Sequence, residues 1–394
     1  MTANPAPDLP RALMPDLIRA FALIGIALVN VMGFAQPAMS GYYNGALEDP
    51  MDQAAFGAVT GLFFIKSYPL FSMMFGAGLA WQLAAAERAG ADGGVRYFRR
   101  MAALFVLGAL HFIFLWYGDI LMTYALLGCL LFAMRGFSPK ALVMTGTALI
   151  ALNTLILLLF AAGLYAAEAH APEVMTDVRD PVFDQAQTLA FTEGSFFAAA
   201  AWRLGQLPAV LPSVILQQGI AVFGFFCFGL AAVKAGVIDT PQARIWRISR
   251  WVLLPIGLLG SAWGTTFLLA APSIVSGSAM MGMAILMGFS PFSALGYTGV
   301  ISLLSTGQPG LARTFISRAG SASLTAYLFQ SVLLSFIFAG YGLGFFGEMT
   351  ASGAIMTALL VALSSLVFTG IWRSFARRGP LEVLLRRVTY WSRA

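Results

Sequence analysis

The chain is a succession of long apolar runs separated by short polar breaks. Each run is continuous and ends at charged residues, glycine or proline. Because apolar positions do not alternate every second residue, the pattern favours helices over the strands of a barrel. A helix needs about 20 apolar residues to cross the roughly 30 Å core of a bilayer. We therefore predict ten membrane-spanning helices, at about 17–35, 57–84, 101–117, 119–135, 141–166, 210–234, 250–271, 279–304, 320–340 and 352–372.

Two of these runs are short and almost continuous. Only Tyr117-Gly118-Asp119 separates the run at 101–117 from the run at 119–135. This spacing predicts a tight helical hairpin in which Asp119 caps the second helix.

Two segments outside the runs have their own patterns. Residues 167–209 are long and acidic for a connector, so we expect an ordered segment against the membrane face, with Ser195–Ala201 in the interface. After the last run, Gly379-Pro380 ends one helix and starts another, an amphipathic helix at about 380–392 that we expect to lie on the membrane surface. The whole pattern predicts one all-α polytopic membrane domain over residues 1–394.

Composition supports this fold class. Hydrophobic residues make up 59% of the chain and charged residues only 10%, against about 25% charged residues in soluble domains. These values exclude a soluble enzyme, a disordered chain and a nucleic-acid binder. The two cysteines, Cys129 and Cys227, both lie in apolar runs, which predicts neither a disulfide nor a metal site. We predict no metal and no bound cofactor.

The distribution of charge predicts the orientation. The chain has a net charge of +6, and nearly all of its 23 Lys and Arg residues fall on one side of the predicted spans. Arg179 and Arg203 lie on the other side, and Lys66 lies within a span. By the positive-inside rule both termini are cytoplasmic, and anionic phospholipids at that face are expected partners.

Polar residues inside the spans are candidates for function because their burial in a bilayer is costly. His111 lies at a depth similar to that of Tyr124 on the paired helix, and Asp119 lies nearer the surface, so we expect the three to line one outward-facing pocket. Histidine is the usual general base, which makes these three the candidate catalytic residues. The alternative is a purely structural histidine bonded across the hairpin.

Further polar residues are candidates for substrate binding. Lys66 needs a carboxylate or a bound anion unless its amine reaches the surface, and Asp16 is placed to pair with Arg19 along one helix face. For Asn30 and Gln330 the alternative is hydrogen bonding between helices. For Arg203 the alternative is an ion pair with acidic residues of the outer loop. The candidate binding residues are Lys66, Asn30, Gln330, Arg203, Arg19, Arg99 and Arg100.

The order of motifs resembles a known family. The chain contains Asp16-x-x-Arg19, Lys66-x-x-x-Leu70-Phe71-Ser72, Arg99-Arg100, His111-x-x-x-Leu115-Trp116-x-Gly118-Asp119, Leu324-Thr325-x-Tyr327-Leu328-x-Gln330-Ser331 and Gly379-Pro380-Leu381-Glu382. This order is similar to that of the YeiB-like bacterial inner-membrane proteins (domain of unknown function 418), a family distantly grouped with membrane acyltransferases. The resemblance implies a location in the bacterial inner membrane. It also implies a helical core shared with enzymes that move acyl groups from cytosolic acyl-CoA to acceptors outside.

The chain departs from these relatives at several positions. Ala20 and Ala326 stand where the family usually has Gly and Asn. In the sugar acetyltransferases of the wider group, the catalytic histidine lies near the outer loop after the first helix, whereas the corresponding loop here, at about 36–56, contains no histidine. A catalytic role for His111 is therefore a hypothesis that rests on this chain's own residues.

The sequence leaves three functions open. The first is an acyltransferase whose cytosolic donor, acyl-CoA for example, binds through its phosphates to Arg19, Arg99 and Arg100, with His111 as base. In this case Asp119 or Tyr124 orients the histidine. The second is a permease for a small organic or lipidic solute, in which Lys66, Asn30, His111 and Gln330 contact the solute or proton. The third is a lipid-binding or scaffold protein without turnover.

Overall fold

The computed structural model describes residues 13–38, 47, 49–171, 173 and 181–391, and in this part of the chain all regular structure is helical. The helices are α1 (Leu13–Ala35), α2 (Pro50–Leu62), α3 (Ser67–Arg88), α4 (Gly93–Phe114), α5 (Leu121–Leu131), α6 (Pro139–His170), α7 (Pro181–Thr192), α8 (Phe196–Val214), α9 (Ile220–Lys234), α10 (Arg244–Ile248), α11 (Leu254–Leu269), α12 (Gly277–Leu304), α13 (Leu311–Gly320), α14 (Ser323–Phe338), α15 (Ala351–Phe375) and α16 (Pro380–Thr389).

The observed helices support a multi-pass membrane architecture. Among the described residues, eight helical stretches are long and apolar enough to cross a bilayer, and the bent pair α13–α14 makes a ninth if it counts as one span. Each of the ten predicted runs coincides with a helix. The run at 119–135 forms a shorter helix, so the count of ten and the orientation stay predictions.

The run predicted at 57–84 is interrupted in its middle. Residues 63–66 leave the helical path between α2 and α3, and Ile65 has a φ of 54°. A β-branched residue rarely adopts this left-handed conformation, so the surrounding structure must hold it there. The break places Lys66 at the first turn of α3, inside the bundle.

The segment predicted to lie against the membrane face is organised differently. Residue Ser195 caps α8, with its side chain accepting a hydrogen bond from the Ala198 amide at 3.2 Å. The stretch Ser195–Ala201 is therefore the start of a long helix that continues through a wider turn at Ile215–Gly219 into α9, and its position in the membrane interface stays a prediction. Within the acidic segment, Asp177 and Asp180 lie outside the described residues.

Small residues allow close packing between the central helices. At Gly76 of α3, an added Cβ would lie 2.1 Å from the carbonyl oxygen of Phe226, and at Gly229 of α9 it would lie 1.8 Å from that of Met73. The α3–α9 contact therefore requires glycine on both sides. Helix α1 lies between α3 on one side and α13, α14 and α15 on the other.

The C-terminal helix packs against the bundle as well as presenting an apolar face. Leu385 and Thr389 of α16 are buried, whereas Leu384, Val388 and Trp391 are exposed on the surface expected to face lipid. The sequence alone predicted only an anchor on the membrane surface, whereas in the structure the helix is also part of the bundle. It packs on α4 and α14.

Glu382 of α16 ties this helix to the start of α14. Its carboxylate accepts hydrogen bonds from the amides of Leu324 at 2.8 Å and Thr325 at 3.2 Å, and from the Thr325 hydroxyl at 2.6 Å. Amides at a helix start have no partner within the helix, so Glu382 supplies the cap that α14 lacks locally. This contact explains the Gly379-Pro380-Leu381-Glu382 motif, since a Cβ at Gly379 would meet the Glu382 carboxylate at 2.1 Å.

We expect Glu382→Ala to lower the free energy of unfolding by about 1–2 kcal/mol, because it removes the cap of α14. Thermal unfolding in detergent measures this change. Glu87→Ala is the matched control, since Glu87 is exposed at the same end of the bundle. Equal unfolding temperatures for the two variants would contradict the capping role.

Candidate functional site

Three polar side chains, two from the α4–α5 hairpin and one from α14, form one hydrogen-bonded line. His111 Nδ1 lies 2.8 Å from Asp119 Oδ1, and His111 Nε2 lies 2.8 Å from Ser331 Oγ. All three side chains are buried. We call this line the Ser331–His111–Asp119 triad.

Local structure fixes each member of the triad. His111 lies in the last turn of α4, and its carbonyl accepts the amides of Leu115 and Trp116, which end the helix. Asp119 follows in the hairpin loop, where its second carboxylate oxygen accepts the Met122 amide at 2.9 Å. The predicted cap on the second helix of the hairpin is thus confirmed. Because one carboxylate both caps α5 and faces the imidazole, the loop holds the histidine ring in a fixed orientation.

The hydrogen-bond pattern assigns a role to each nitrogen of the ring. A carboxylate only accepts, so His111 Nδ1 carries a proton, and in the neutral imidazole Nε2 is then the acceptor. The single proton of the Ser331 hydroxyl can then go to Nε2 at 2.8 Å or to the Tyr327 carbonyl at 3.3 Å, and the shorter contact favours Nε2. A nucleophile bonded to a base that a carboxylate orients is the arrangement that activates serine in unrelated hydrolases.

Tyr124 does not join this group. Its hydroxyl lies 2.6 Å from Ser72 Oγ and donates to the Tyr68 carbonyl at 3.2 Å. The prediction that Tyr124 shares an outward-facing pocket with His111 is corrected, because Tyr124 lines a cavity that opens towards the opposite, arginine-rich end. The triad itself is enclosed in protein.

A polar cavity, which we call the basic cavity, opens at the arginine-rich end of the bundle, which we call the basic end. It has a volume of about 240 Å³ and continues into a narrower cavity of about 110 Å³. Arg19, Arg100 and Leu385 line both parts. The inner end of the narrow part is formed by Leu121, Tyr124 and Tyr327.

A second cavity, of about 340 Å³, lies towards the opposite end. Its walls are mainly apolar and include Gly33, Phe56, Thr60, Phe64 and Tyr117. We call it the outer cavity.

The triad lies between these two cavities. The Tyr327 ring, in the wall of the narrow cavity, has its centroid 5.1 Å from that of His111. On the other side, the Trp116 ring centroid is 6.4 Å from His111, and Trp116 lies against Gly33 of the outer cavity. Within the described part of the chain, the Trp116 Nε1 and Tyr327 hydroxyl groups are buried without a well-formed hydrogen bond.

Lys66 is buried at the helix break. Its ammonium donates to the carbonyls of Phe64 at 2.8 Å and Thr60 at 3.2 Å. Both of these residues line the outer cavity, so Lys66 stands behind its wall. The alternative interpretation required the Lys66 amine to reach the membrane surface, and the buried side chain does not do so.

The two candidate amides differ in their surroundings. Gln330 donates to the Leu23 carbonyl at 3.3 Å and to Ser365 Oγ at 2.9 Å, which ties α14 to α1 and α15. This is the interhelical role expected as the alternative. Asn30 is half-buried on α1, next to Val29 of the outer cavity wall.

Arg203 has a role that sequence reasoning missed. Its guanidinium donates to the carbonyl of Phe114 at 3.2 Å and contacts that of Ile113 at 3.5 Å, and it lies 4.7 Å above the Phe191 ring. These carbonyls end α4, so Arg203 fixes the turn that carries His111.

Of the three arginines predicted to bind phosphate, the structure brings two together and places the third elsewhere. Arg19 pairs with Asp16 at 2.8 Å, as predicted, and lines the basic cavity with Arg100. Arg99 is exposed and donates to the Trp391 carbonyl, so it secures the C-terminal helix instead.

Ser331 was the main residue that the sequence did not select. Gln330 and Ser331 are both polar residues in an apolar run, and nothing local distinguishes one from the other. Ser331 and His111 are 220 positions apart, so only the packing of α14 on α4 reveals their contact.

Comparison with known proteins confirms the YeiB-like resemblance. Residues 232–392 match the family described as "Protein of unknown function (DUF418)". The chain is 28% identical to the uncharacterized protein YxaH of Bacillus subtilis (strain 168), covering 96% of this chain and 94% of YxaH. It is 27% identical to the uncharacterized protein YeiB of Escherichia coli (strain K12), covering 95% of each. No solved structure gives a significant match. The grouping with acyltransferases stays a prediction.

Proposed function

We propose that this chain, which is similar to YeiB and matches the DUF418 family over residues 232–392, is an acyltransferase whose nucleophile is Ser331. The observation that carries this proposal is the hydrogen-bonded triad of Ser331, His111 and Asp119. A buried serine at hydrogen-bonding distance from a carboxylate-oriented histidine fits covalent acyl transfer. We place the protein in the bacterial inner membrane with its basic end in the cytoplasm.

The proposed reaction has two steps. In the first, Ser331 Oγ attacks the carbonyl carbon of an acyl thioester, a C–O bond forms and the C–S bond breaks. The proton of the hydroxyl passes to His111 Nε2 and then to the leaving thiolate. In the second, a hydroxyl acceptor attacks the Ser331 ester and its proton returns through His111 to Ser331 Oγ. The products are a thiol and a new ester.

Two buried donors without well-formed hydrogen bonds support this chemistry. Developing negative charge on an acyl oxygen needs hydrogen-bond donors that are already in place. The Tyr327 hydroxyl and Trp116 Nε1 flank His111 and are buried without well-formed bonds. We assign them as candidate donors to that oxygen.

The two cavities suggest separate routes for the two substrates. The donor enters from the basic end, past Arg19 and Arg100, to Tyr327 at the end of the narrow cavity. The acceptor enters the outer cavity, on the far side of His111. Side-chain movement of Tyr327 and Trp116 then opens the last few ångströms to the triad.

A transfer assay in proteoliposomes tests the proposal. Vesicles that contain the protein receive an acyl thioester with a labelled acyl group on the basic side, and lipid and soluble products are analysed for covalent label. We expect labelled ester that depends on the protein and is lost in Ser331→Ala. Ester formation at the wild-type rate in Ser331→Ala would refute the role of Ser331.

The break at Lys66 favours a second function, transport. Discontinuous helices with free carbonyls often form substrate sites in transporters, and residues 63–66 interrupt the α2–α3 span beside the outer cavity. In this case Lys66 and Asn30 contact the transported solute. Solute flux without covalent change, lost in Lys66→Met and kept in Ser331→Ala, would favour transport over acyl transfer.

A further inference from the structure

Six arginines surround the basic cavity. They are Arg19, Arg100, Arg373, Arg377, Arg378 and Arg386. Glu382 is the one acid among the described lining residues, and its carboxylate is already bonded to the start of α14. Asp16 beside the cavity pairs with Arg19. Positive charge therefore exceeds negative charge around this cavity by several units.

Arg100 is the best placed of these residues to bind a ligand. It lines both the wide and the narrow part of the cavity. Its Nε atom is buried and has no hydrogen-bond partner in the part of the chain that the structure describes. A buried donor without an acceptor is unfavourable, so a ligand that supplies an acceptor here gains affinity.

The shape of the cavity adds an apolar requirement. Beyond Arg100 the narrow part is lined by Phe71, Met74, Leu104 and Tyr124, which offer little to a charged group. Guanidinium forks match phosphate oxygens in geometry and charge. A ligand that fills both parts has an anionic phosphate head and an apolar limb.

We propose that the basic cavity binds the phosphate head of an amphiphile, with Arg100 at its centre and the apolar limb in the narrow cavity. A phospholipid of the cytoplasmic leaflet and a soluble acyl thioester on a phosphorylated carrier share this chemistry. The inference rests on the proposed function only in identifying the limb as the acyl group to be transferred.

The C-terminal helix forms one wall of this site. Leu385 is buried and lines both parts of the cavity, and Arg386 lies 4.1 Å above the Tyr390 ring. A bound phosphate therefore links α16 to α1, α4 and α15. Ligand binding should slow hydrogen exchange of the α16 amides.

Equilibrium binding to the full-length protein tests the inference. The protein is placed in nanodiscs of phosphatidylcholine and titrated with decanoyl-coenzyme A, and in a second arm it is placed in nanodiscs that also contain phosphatidylglycerol. We expect Arg100→Gln to weaken binding at least tenfold, and Arg247→Gln, an exposed arginine at the same end, to leave it unchanged. Saturable binding in the first arm identifies a soluble ligand. Slower hydrogen exchange of the α16 amides only in the phosphatidylglycerol nanodiscs of the second arm identifies a lipid ligand.

Two further outcomes separate this inference from the proposed function. Because His111 does not line the basic cavity, His111→Gln should bind the probe with unchanged affinity even when transfer is lost. Binding without any acyl transfer would overturn the proposed function and leave the phosphate site intact. The phosphate site would be overturned if Arg100→Gln and Arg247→Gln weakened binding equally. It would also be overturned if decanoyl-coenzyme A did not bind and phosphatidylglycerol did not slow the hydrogen exchange of α16.

Discussion

Replacing His111 by glutamine should lower the rate of acyl transfer on the order of 10³-fold or more, because Ser331 loses its base. Glutamine is chosen over alanine because its amide can still hydrogen-bond to Asp119, so the buried carboxylate keeps a partner. The same loss is expected for Ser331→Ala. Initial rates of ester formation in proteoliposomes measure the effect.

Controls for this prediction come from another buried serine. Ser290 on α12 is fully buried, and its hydroxyl donates to the Met287 carbonyl of its own helix. Ser290→Ala should keep the wild-type rate, and all variants should show the same helical content by circular dichroism. A His111→Gln protein that is folded and transfers at the wild-type rate would exclude His111 as the base.

The second large effect concerns stability. Gly229→Ala should lower the free energy of unfolding by about 3 kcal/mol, because the new Cβ would lie 1.8 Å from the Met73 carbonyl oxygen and push α3 away from α9. Unfolding in mixed micelles by increasing denaturing detergent measures this change.

A matched substitution separates packing from helix propensity. Gly163 of α6 has no heavy atom within 4 Å of an added Cβ. Gly163→Ala should leave stability unchanged or raise it by up to about 1 kcal/mol, since alanine favours helix. If Gly229→Ala and Gly163→Ala unfold alike, the close α3–α9 contact is not as described.

The fold class follows from the sequence because each helix has to be apolar along its own length. The runs at 17–35 and 279–304 predict α1 and α12 without knowledge of any neighbour. The break at residues 63–66 was missed because its residues are ordinary helix or strand formers, and tertiary contacts hold Ile65 in a left-handed conformation. The continuous helix after Ser195 was missed because an acidic segment precedes it.

The site was predictable only in part. The His111–Asp119 contact spans eight residues across a tight hairpin, so local spacing brought them together correctly. Tyr124 was grouped with them by depth alone, and depth does not say which side of α5 faces the histidine. Contacts between distant helices, such as Ser331 with His111 or Glu382 with Thr325, depend on packing that no local pattern encodes.

The most direct test of the account is to locate the acyl group on the protein itself. The purified protein is incubated with an acyl thioester in the absence of acceptor and quenched in acid, and its peptides are analysed by mass spectrometry. We expect one acyl ester, on Ser331, that is absent from His111→Gln and released when acceptor is added. Transfer that proceeds with Ser331 unmodified, or an acyl ester on another residue, would contradict this expectation.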